Sequence, residues 1–477
     1  MENVSGLSDR GRTSIGLDEV LTAAGVGHFQ LRLLIACGLG FAAAAVEVVL
    51  TGFLLTSLRR EWHSSEYMLS MFPTFITLGA IVGELLWGRV ADHYGRRAVF
   101  MVTVIIVVVF GMASALSWNM GSLIALRFFV AFGYGGNISV DFTLFCELCP
   151  TQGRGTMLFA LSFFWPLGQI LATALAWLVI PRLDWRAFLI FCAIPSLLTC
   201  FLRPLIPESP RWLLLHGYTQ EAVDVCCHIA KMNGKTPTDV GLSKDTKLVL
   251  WNEAEPFGKV SEHQPKSSPS VMVLLGKDLR STFTACLIFH GLLSLGGYAT
   301  STFMPSFLAM KGMSRIDAYL SMLLSSLAEI PGVFLAAAAG IYLGRRLPIQ
   351  VSPLLVACAL IIFAFARRAA VMMVFSCMAS CCLEFGWAFA HVYVPEAFPT
   401  ELRATATGAI TGFGSLTSMA TPVVTAWILE ATNAGAGIAV AFFAIALALG
   451  SLVLFMLLRL ETVNRELQDW ASDSSAF

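Results

Sequence analysis

Gly88-Arg89-Val90-Ala91-Asp92-His93-Tyr94-Gly95-Arg96-Arg97 ends in a triplet that returns as Gly344-Arg345-Arg346, which is 249 positions later (344 minus 95). A second stretch, Glu147-Leu148-Cys149-Pro150-Thr151 closed by Arg154, returns at the same offset as Glu396-Ala397-Phe398-Pro399-Thr400 closed by Arg403. Because two unrelated matches share one register, we interpret the chain as a duplicated unit of about six segments. Duplicated halves in a membrane chain are typical of a transporter.

The composition is that of a membrane protein. Hydrophobic residues make up 57% of the 477 residues and charged residues only 13%, and the mean hydropathy is +0.74. These values lie far from the mixture that keeps a globular domain soluble. The sequence therefore predicts a chain that crosses the membrane several times.

Twelve apolar runs are long enough to cross about 30 Å of hydrocarbon. They lie near residues 33–58, 68–90, 98–118, 121–145, 156–180 and 186–203, and near 282–308, 315–341, 347–366, 370–394, 405–429 and 437–458. We therefore predict an all-α membrane protein with twelve transmembrane helices, arranged as two pseudo-symmetric six-helix bundles at 33–203 and 280–458.

Three polar segments flank and join the two bundles. They are an N-terminal segment at 1–32, a linker at 204–279 and a tail at 459–477. A short amphipathic helix is expected early in the linker, followed from about Thr236 to Ser270 by a largely disordered stretch. Short loops on the side of the N-terminus carry more Lys and Arg than loops on the other side, which predicts that both termini are cytoplasmic.

Several other classes of protein are not supported by the composition. The formal net charge is zero, so the lipid bilayer is expected as a partner and nucleic acid is not. The 12 cysteines fall in predicted helices or cytoplasmic segments, so no extracellular disulfide framework is expected. Cys146 and Cys149 have metal-like spacing without a second pair, so no metal is expected. No nucleophile, base and orienting group can be assembled, so we expect neither an enzyme nor a cofactor.

The stretch from Gly88 to Arg97 resembles the loop motif between helices two and three of the major facilitator superfamily. Arg127 followed by Gly133-Tyr134-Gly135-Gly136 is similar to the fourth helix of that superfamily. The element from Pro207 to Arg211 resembles the "PESPR" motif of its sugar-porter branch, and Glu461-Thr462 is similar to the C-terminal "PET" of the same branch. The resemblance covers nearly the whole chain and implies the major facilitator fold.

A finer resemblance lies upstream. Leu17 to Gln30, running into Ala45-Val46-Glu47-Val48-Val49, is similar to synaptic vesicle glycoprotein-related transporters and to bacterial niacin and aromatic-acid permeases. Two departures matter: Ala44 stands where the family usually has Asp, and Ile341 stands where the first loop motif has its acid. The seventh helix lacks the polar residues of sugar porters, with Leu292, Leu293 and Tyr298 in their places, which argues against a hexose.

Ionisable side chains inside the bilayer cost several kcal/mol unless they are paired or hydrated, so each is a candidate for function. The candidates are Glu47, Glu84, Arg127, Asp141, His290, Glu329 and Glu384. The resemblance implies that Glu47 and Arg127 form a proton-coupling pair. A permanent ion pair that only orients helices is the alternative. Glu84, beside Gly79 and Gly83, is expected to have a conformational role.

Aromatic and polar residues of three helices are candidates for substrate binding. They are Trp165, Gln169, His290, Tyr298, Glu384, Phe385 and Trp387, with His391 on the same helix as Glu384. The resemblance places the seventh and tenth helices beside a central cavity, where a substrate ring would stack on Phe385 or Trp387. Ordinary packing of aromatic residues is the alternative.

The repeated loop motifs predict a conformational latch. Asp92 is expected to face a helix N-terminus of the other half, while Arg96 or Arg97 bridges Glu147. Arg154 extends this cluster, and Arg345, Arg346, Glu396 and Arg403 repeat it. Charges that only set topology are the alternative, but they leave the repeated Glu unexplained.

These patterns together predict a secondary active transporter that couples protons to the movement of a small organic acid or aromatic metabolite. The expected protein is a monomer in the plasma membrane or an intracellular vesicle membrane. A facilitative carrier of a sugar or an organic cation, or a receptor-like or vesicle component without transport, remains the alternative.

Overall fold

The computed structural model describes residues 14–62, 66–243, 247–250, 271–276, 279–301, 315–432 and 436–462. Its first half is helical throughout. The helices are α1 (Leu17–Ala24), α2 (His28–Trp62), α3 (Glu66–Tyr94), α4 (Arg96–Ser114), α5 (Met120–Leu148), α6 (Arg154–Ser162), α7 (Phe164–Val179) and α8 (Trp185–Leu202). The fifth predicted span is interrupted at Phe163, so it consists of α6 and α7.

The second half repeats this arrangement after two short linker helices. The linker contains α9 (Pro210–Leu215) and α10 (Thr219–Met232), and the half itself contains α11 (Arg280–Ser301), α12 (Arg315–Tyr342), α13 (Arg346–Phe365), α14 (Ala369–Ala397), α15 (Arg403–Thr432) and α16 (Ala436–Leu457). Gly95 and Gly344, which are equivalent in the two halves, both have positive φ, at 98° and 79°. Glycine adopts this backbone conformation at little cost, so the turns before α4 and α13 explain why the triplet begins with Gly.

Ten helices in the described part of the chain are long and apolar enough to cross a membrane. The helices α11 and α15 lie outside that set of ten, but they occupy the places of the seventh and eleventh predicted spans and are 22 and 30 residues long. Large apolar side chains are exposed along the outer faces of several helices, among them Val109, Phe201, Phe334 and Leu449. Such faces are stable against lipid rather than water. The prediction of an all-α membrane fold is confirmed.

Small residues bring the two halves together where α3 crosses α15. A Cβ added to Gly88 would collide with the carbonyl oxygen of Ala404, and one added to Gly408 would collide with the carbonyl oxygen of Glu84. Without side chains at these positions, the two backbones approach closely, as in other membrane helix pairs. The crossing therefore forms one long seam between the halves.

The N-terminal segment and the linker form a small unit beside the first half. Strand β1 (Ser14–Gly16) pairs in parallel with β2 (Lys247–Val249). The Asn233 side chain donates to the carbonyl oxygens of Ala24 and Gly25 and accepts from the Phe29 backbone N–H. At 236–243 and 247–250 this order differs from the largely disordered stretch that the sequence predicts from about Thr236 to Ser270, because pairing of β2 with β1 satisfies backbone groups that a free linker would expose to water. The rest of that stretch lies outside the described residues.

Candidate functional site

Glu47 of α2 and Arg127 of α5 form a buried ion pair inside the first half. Arg127 Nη2 lies 2.6 Å from Glu47 Oε2, and both side chains are 1% exposed. The same nitrogen lies 3.4 Å from the Glu47 carbonyl oxygen. A charge left alone in such a place costs several kcal/mol, so neither partner can part from the other unless a proton or water takes its place. The structure therefore brings together the two residues that the sequence selects for proton coupling.

Aromatic side chains from both halves meet at the centre of the molecule. The ring of His391 stacks on Phe142 with centroids 4.6 Å apart and on Trp387 at 5.7 Å. Phe41 meets His391 edge-on at 5.2 Å and lies 5.0 Å from Trp165. Because Phe41, Phe142 and Trp165 belong to the first half while Trp387 and His391 belong to the second, motion between the halves must separate these rings. We call these five residues the central aromatic cluster.

Two histidines at the cluster have unused hydrogen-bonding capacity. His290 of α11 meets the Trp387 ring edge-on at 5.1 Å and is 2% exposed. In the described part of the chain, neither of its ring nitrogens has a hydrogen-bond partner, and His391 Nδ1 lacks one as well. Buried polar atoms normally have partners, so such atoms are suited to hold a polar ligand beside the rings.

Phe385, a predicted substrate residue, has its ring contacts outside this cluster. Phe385 packs on Phe389 at 5.1 Å, and Phe389 in turn meets Phe159 at 5.0 Å. Phe385 therefore packs against a different set of rings from Trp387 and His391, and its role as a stacking face stays a prediction. Tyr298 belongs to α11, but its side chain lies outside the described residues.

A half-buried carboxyl group and a buried one, Glu329 and Glu84, also mark the two seams between the halves. Gln169 Nε2 of α7 donates to Glu329 Oε2 of α12 at 2.7 Å. On the other seam, Ser415 Oγ of α15 donates to Glu84 Oε1 of α3 at 3.1 Å. Each contact joins one half to the other. Gln169 thus reaches an acid to which the sequence gave no role, and Glu84 has a partner that alternation between the halves would change.

The first loop motif builds a cluster that crosses between the halves, which we call the first latch: Asp92, Arg96, Glu147 and Arg403. Arg96 Nε lies 3.2 Å from Glu147 Oε2, and Arg403 Nη1 lies 2.6 Å from Glu147 Oε1. Asp92 accepts the backbone N–H groups of Ala404 and Thr405, at 3.3 and 2.7 Å. These are the first turns of α15, so the carboxylate faces a helix N-terminus of the other half, as its charge favours.

Between Arg96 and Arg97, only Arg96 bridges Glu147. The side chain of Arg97 donates to the Pro204 carbonyl oxygen at 3.1 Å. Glu208, in the element from Pro207 to Arg211, accepts the backbone N–H groups of both Arg96 and Arg97 at 3.0 Å. Sequence reasoning missed Glu208, although its position at the end of the first six-helix repeat was the available signal.

The second loop motif builds an equivalent but smaller cluster, which we call the second latch: Arg345, Glu396 and Thr462. Arg345 Nε lies 3.6 Å from Glu396 Oε2, which also accepts from Thr462 Oγ1 at 2.7 Å. Glu461 repeats the role of Glu208 by accepting the backbone N–H groups of Arg345 and Arg346. Ile341 is 63% exposed at the place of Asp92, so it offers no acceptor to α6, the helix equivalent to α15.

Arg154, at the start of α6, joins the N-terminal segment to the second latch. Its Nη2 lies 3.5 Å from Asp18 Oδ1 of α1, and it acts electrostatically on Glu396. Asp18 also pairs with Arg211 of α9 and accepts from Thr151. Burial raises the pKa of Asp18, but Arg211 and Arg154 outweigh burial and hold that pKa below its usual value. Asp18 lies in the stretch from Leu17 to Gln30 that carries the finer resemblance, but the sequence analysis assigns it no role.

Asp141, to which the sequence gave no role, has a partner. Arg203 Nη2 lies 2.9 Å from Asp141 Oδ1, and both side chains are fully buried. The pair joins α5 to the end of α8 within the first half, so it stabilises that half as a unit.

Comparison with known proteins agrees with this architecture. Residues 37–473 match the family model described as "Sugar (and other) transporter". Organic cation/carnitine transporter 7 of Arabidopsis thaliana is 29% identical over 496 residues, with 97% of this chain and 98% of that protein covered. Synaptic vesicle 2-related protein of Xenopus laevis is 27% identical, with 87% and 76% covered. The niacin transporter NiaP of Acinetobacter baylyi is 26% identical, with 90% and 94% covered.

Solved structures share the fold. The major facilitator superfamily proton:xylose symporter XylE, bound to 6-bromo-6-deoxy-D-glucose, matches with a TM-score of 0.76 at 17% identity, covering 92% of this chain and 98% of that one. A partially occluded inward-open conformation of XylE from E. coli gives 0.68. The predicted resemblance is confirmed, and the homologues and the fold are those of transporters rather than enzymes. This multi-pass membrane protein has the fold of that major facilitator superfamily symporter, and it belongs to the sugar (and other) transporter family.

Proposed function

We propose that this protein moves a small organic acid or aromatic metabolite by alternating access, in symport with protons. The observation that carries the proposal is the buried pair of Glu47 and Arg127, 2.6 Å apart and closed to solvent. Membrane helices rarely keep such charges without a use, and the pair can exchange one partner for a proton.

Proton coupling follows from the two states of the Glu47 carboxyl group. Its carboxylate either pairs with Arg127 or binds a proton, and the protonated form no longer holds the arginine. A conformation that admits water from outside favours protonation when the outside is acidic. Return of the carboxylate to Arg127 after the opposite opening releases the proton inside. The imposed gradient thereby biases the direction of solute movement.

The solute binds between the halves, against the central aromatic cluster. Stacking on Trp387 or Trp165 supplies binding to a planar ring, while the free nitrogens of His290 and His391 supply hydrogen bonds. When the halves move apart on one side, the residues of the first half separate from those of the second, and the solute loses part of its binding site. This proposal agrees with relatives whose names describe transport of niacin and of organic cations or carnitine.

The two latches face the cytoplasm in this proposal, as do both termini. The cross-half contacts of Glu147, Arg403 and Asp92 then close the inner side, so this conformation is not open to the cytoplasm. Inward opening must break these contacts, and solute or proton binding supplies a preference of a few kcal/mol. The protein acts as a monomer, since each chain contains both halves of the pathway.

Uptake into proteoliposomes tests the proposal, with radiolabelled nicotinate, carnitine and xylose as probes. We expect an inward proton gradient to raise the accumulation of at least one probe. Glu47→Gln should abolish accumulation yet retain exchange of internal for external probe, because the amide cannot carry a proton. Glu61→Gln is the matched control, since Glu61 forms a partly exposed pair with Arg186 at 2.7 Å and should leave coupling unchanged.

Each other result has a defined meaning. Probe uptake that does not depend on the proton gradient would indicate a facilitative carrier. Binding of a probe without any flux, in liposomes where a known transporter is active, would favour a receptor-like role. Retained accumulation by Glu47→Gln would remove that residue from the mechanism.

A further inference from the structure

Glu84 of α3 is a buried acid on the seam where α3 crosses α15. The residue is 4% exposed. Ser415 Oγ of α15 donates to its Oε1 at 3.1 Å, while its Oε2 has no hydrogen-bond partner in the described part of the chain. The carboxyl group therefore belongs to the first half of the molecule and is bound by the second, with one oxygen left unsatisfied.

Close backbone contacts enclose Glu84 from two sides. A Cβ added to Gly408 of α15 would collide with the Glu84 carbonyl oxygen. On the side of the first half, a Cβ added to Gly83 would collide with the carbonyl oxygen of Phe132 of α5, and one added to Gly135 of α5 would collide with the backbone of α3. Backbones this close leave no room for a layer of water between α3 and its neighbours, so the carboxyl group is shielded from solvent in this conformation.

Within the described residues, α5 and α2 offer Glu84 no unpaired positive charge. From α5 come Tyr134, which is buried and interacts electrostatically with Glu84, and Arg127. A tyrosine is neutral at ordinary pH, and Arg127 already pairs with Glu47 of α2 at 2.6 Å. Glu84 therefore differs from the buried acids that have an arginine within 4 Å, which are Glu47, Asp141, Glu147 and Glu396.

The other helices packed against α3 supply no partner either, as far as the structure describes them. In α15 no titratable side chain lies between Arg403 and Glu430. The titratable groups at the end of α3 and the start of α4 lie in or beside the first latch, one to three turns further along: Arg89, Asp92, His93, Tyr94, Arg96 and Arg97. None of them forms a hydrogen bond or ion pair with the Glu84 carboxyl group.

A carboxylate enclosed in this way is costly, because it has lost water and gained no positive partner. The protonated form carries no charge. It also keeps its hydrogen bond with Ser415, because a hydroxyl group both donates and accepts. The closed seam therefore favours the protonated form of Glu84.

Separation of the seam reaches Glu84 after the first latch. Asp92, Gly88 and Glu84 lie on successive turns of α3, and their contacts on α15 run from the amides of 404 and 405 to Gly408 and Ser415. Opening on the side that carries the first latch, which we call the latch side, therefore brings water to Glu84 from that side. A hydrated carboxyl group is ionised at neutral pH, so the opened seam favours the charged form.

We propose that Glu84 is a proton-binding site that must be filled before the latch side closes. Closing the seam transfers a proton from water on the latch side to the Glu84 carboxylate, and opening returns that proton to the same side. No proton crosses the membrane through this site, so it differs from the pair of Glu47 and Arg127 and does not rest on the proposed function. The closed conformation binds one proton more than the open one, so the ratio of closed to open molecules falls as the pH on the latch side rises.

Pulsed electron paramagnetic resonance of the full chain in lipid nanodiscs tests this dependence, with labels on unnatural amino acids at exposed Tyr94 and Tyr342. The background carries Glu47→Gln, which removes the acid proposed for proton coupling. We expect the ratio of the short to the long distance to fall as the pH is raised, by at most about ten-fold per pH unit, the limit for one proton. Glu84→Gln should keep the short distance at every pH, because its amide is neutral and has nearly the same shape. A ratio that falls as steeply in Glu84→Gln as in the background protein would overturn the proposal.

Ser415→Ala separates the effect of the proton from that of the hydrogen bond. This variant loses the contact across the seam but keeps the carboxyl group, so the short distance should be less populated while the same pH dependence remains. If Glu84 only held the seam together by packing, both Glu84→Gln and Ser415→Ala would leave the pH dependence as it is. Glu61→Gln is the matched control, since Glu61 forms a partly exposed pair with Arg186 and its loss should change neither the ratio nor its pH dependence.

Infrared difference spectroscopy detects the proton itself, because a protonated carboxyl group has its own carbonyl stretch. In the same background, at a pH where the short distance predominates, we expect one carbonyl band to disappear in Glu84→Gln. The same band should shift in Ser415→Ala, which removes its hydrogen-bond partner and keeps the test valid where Glu84→Gln does not fold. Persistence of every band at its original frequency in both variants would show that Glu84 is ionised in the closed seam, and would refute the site.

Discussion

Asp92 offers the sharpest prediction about the first latch. The first four N–H groups of a helix have no partner within that helix, so the amides of Ala404 and Thr405 depend on the Asp92 carboxylate, at 3.3 and 2.7 Å. Asp92→Asn keeps the shape and one acceptor oxygen but removes the charge that faces the N-terminus of α15. We expect this change to favour the conformation that is open on the latch side.

The size of the effect follows from the contacts. A carboxylate at a helix N-terminus contributes about 0.3–1 kcal/mol, and up to about 2 kcal/mol when partly buried. A hydrogen bond to a charged group contributes about 1.5–3 kcal/mol, against about 1 kcal/mol for a neutral one. Since one neutral acceptor remains, we take the loss as about 1–2 kcal/mol. This corresponds to a roughly five- to thirty-fold shift in the ratio of open to closed latch.

Hydrogen–deuterium exchange with residue-level fragmentation measures this shift directly. In Asp92→Asn, the amides of Ala404 and Thr405 should exchange roughly five to thirty times faster than in the wild type. Asp184→Asn is the matched control. Asp184 caps α8 by accepting the Ala187 N–H at 2.8 Å, but it does so within one half. Unchanged exchange in Asp92→Asn, or an equal rise in the control, would refute the reasoning.

Three further predictions follow from the same contacts. Ile341→Asp should supply the missing acid of the second latch and slow amide exchange at 155–156, the equivalents of 404–405. Unchanged exchange at 155–156 would show that the N-terminus of α6 is not equivalent to that of α15. Trp165→Ala should raise the probe concentration for half-maximal uptake roughly two- to twelve-fold, given about 0.5–1.5 kcal/mol for an aromatic contact, while Phe385→Ala should not. The reverse order would contradict the placement of the central aromatic cluster. The pKa of Asp18 in the folded protein lies below its usual value of 3.8, so the stability that its ion pairs contribute is present above pH 3.8 and is lost as the pH falls through the lower folded pKa. Protease resistance of the N-terminal segment should therefore fall in acid for the wild type. Asp18→Asn should be sensitive to protease at neutral pH as well.

The helices and their duplication could be read from the sequence because both depend on local pattern. Apolar runs of membrane length need no knowledge of tertiary contacts, and the fixed offset between Gly95 and Gly344 reports duplication directly. The position of Asp92 opposite a helix N-terminus could also be predicted, since a carboxylate beside a loop has few good partners in a helical protein. What remained open was the choice between neighbours such as Arg96 and Arg97.

Ion-pair partners that lie far apart in the chain could not be predicted from the sequence. Arg403 and Glu147 are 256 residues apart, and the repeat suggested that each arginine would serve its own half. The structure instead crosses them, because the loops of the two halves face each other on the latch side. Asp18 and β1 were missed for a similar reason, since a polar N-terminal segment gives no periodic signal that it docks on the linker.

The candidate site was predicted in part. Stacking at Trp165 and Trp387 follows from residue type, but which aromatic residues reach the centre depends on how each helix is rotated. Phe385 follows Glu384 directly and therefore points to a different face of α14, where it packs on Phe389. The partner of Glu329 could not be read from the sequence, because Gln169 reaches it from a helix of the other half.

A distance measurement tests the central claim, that the two halves move relative to each other by opening the latch side. Pulsed electron paramagnetic resonance would use labels on unnatural amino acids at exposed Tyr94 and Tyr342, and a second pair at exposed Leu116 and Phe365, which are equivalent positions at the opposite ends of α4 and α13. The account predicts two populations for each pair, with Asp92→Asn lengthening the first distance and shortening the second. A single distance for each pair, unchanged by Asp92→Asn, by pH or by a transported probe, would contradict it.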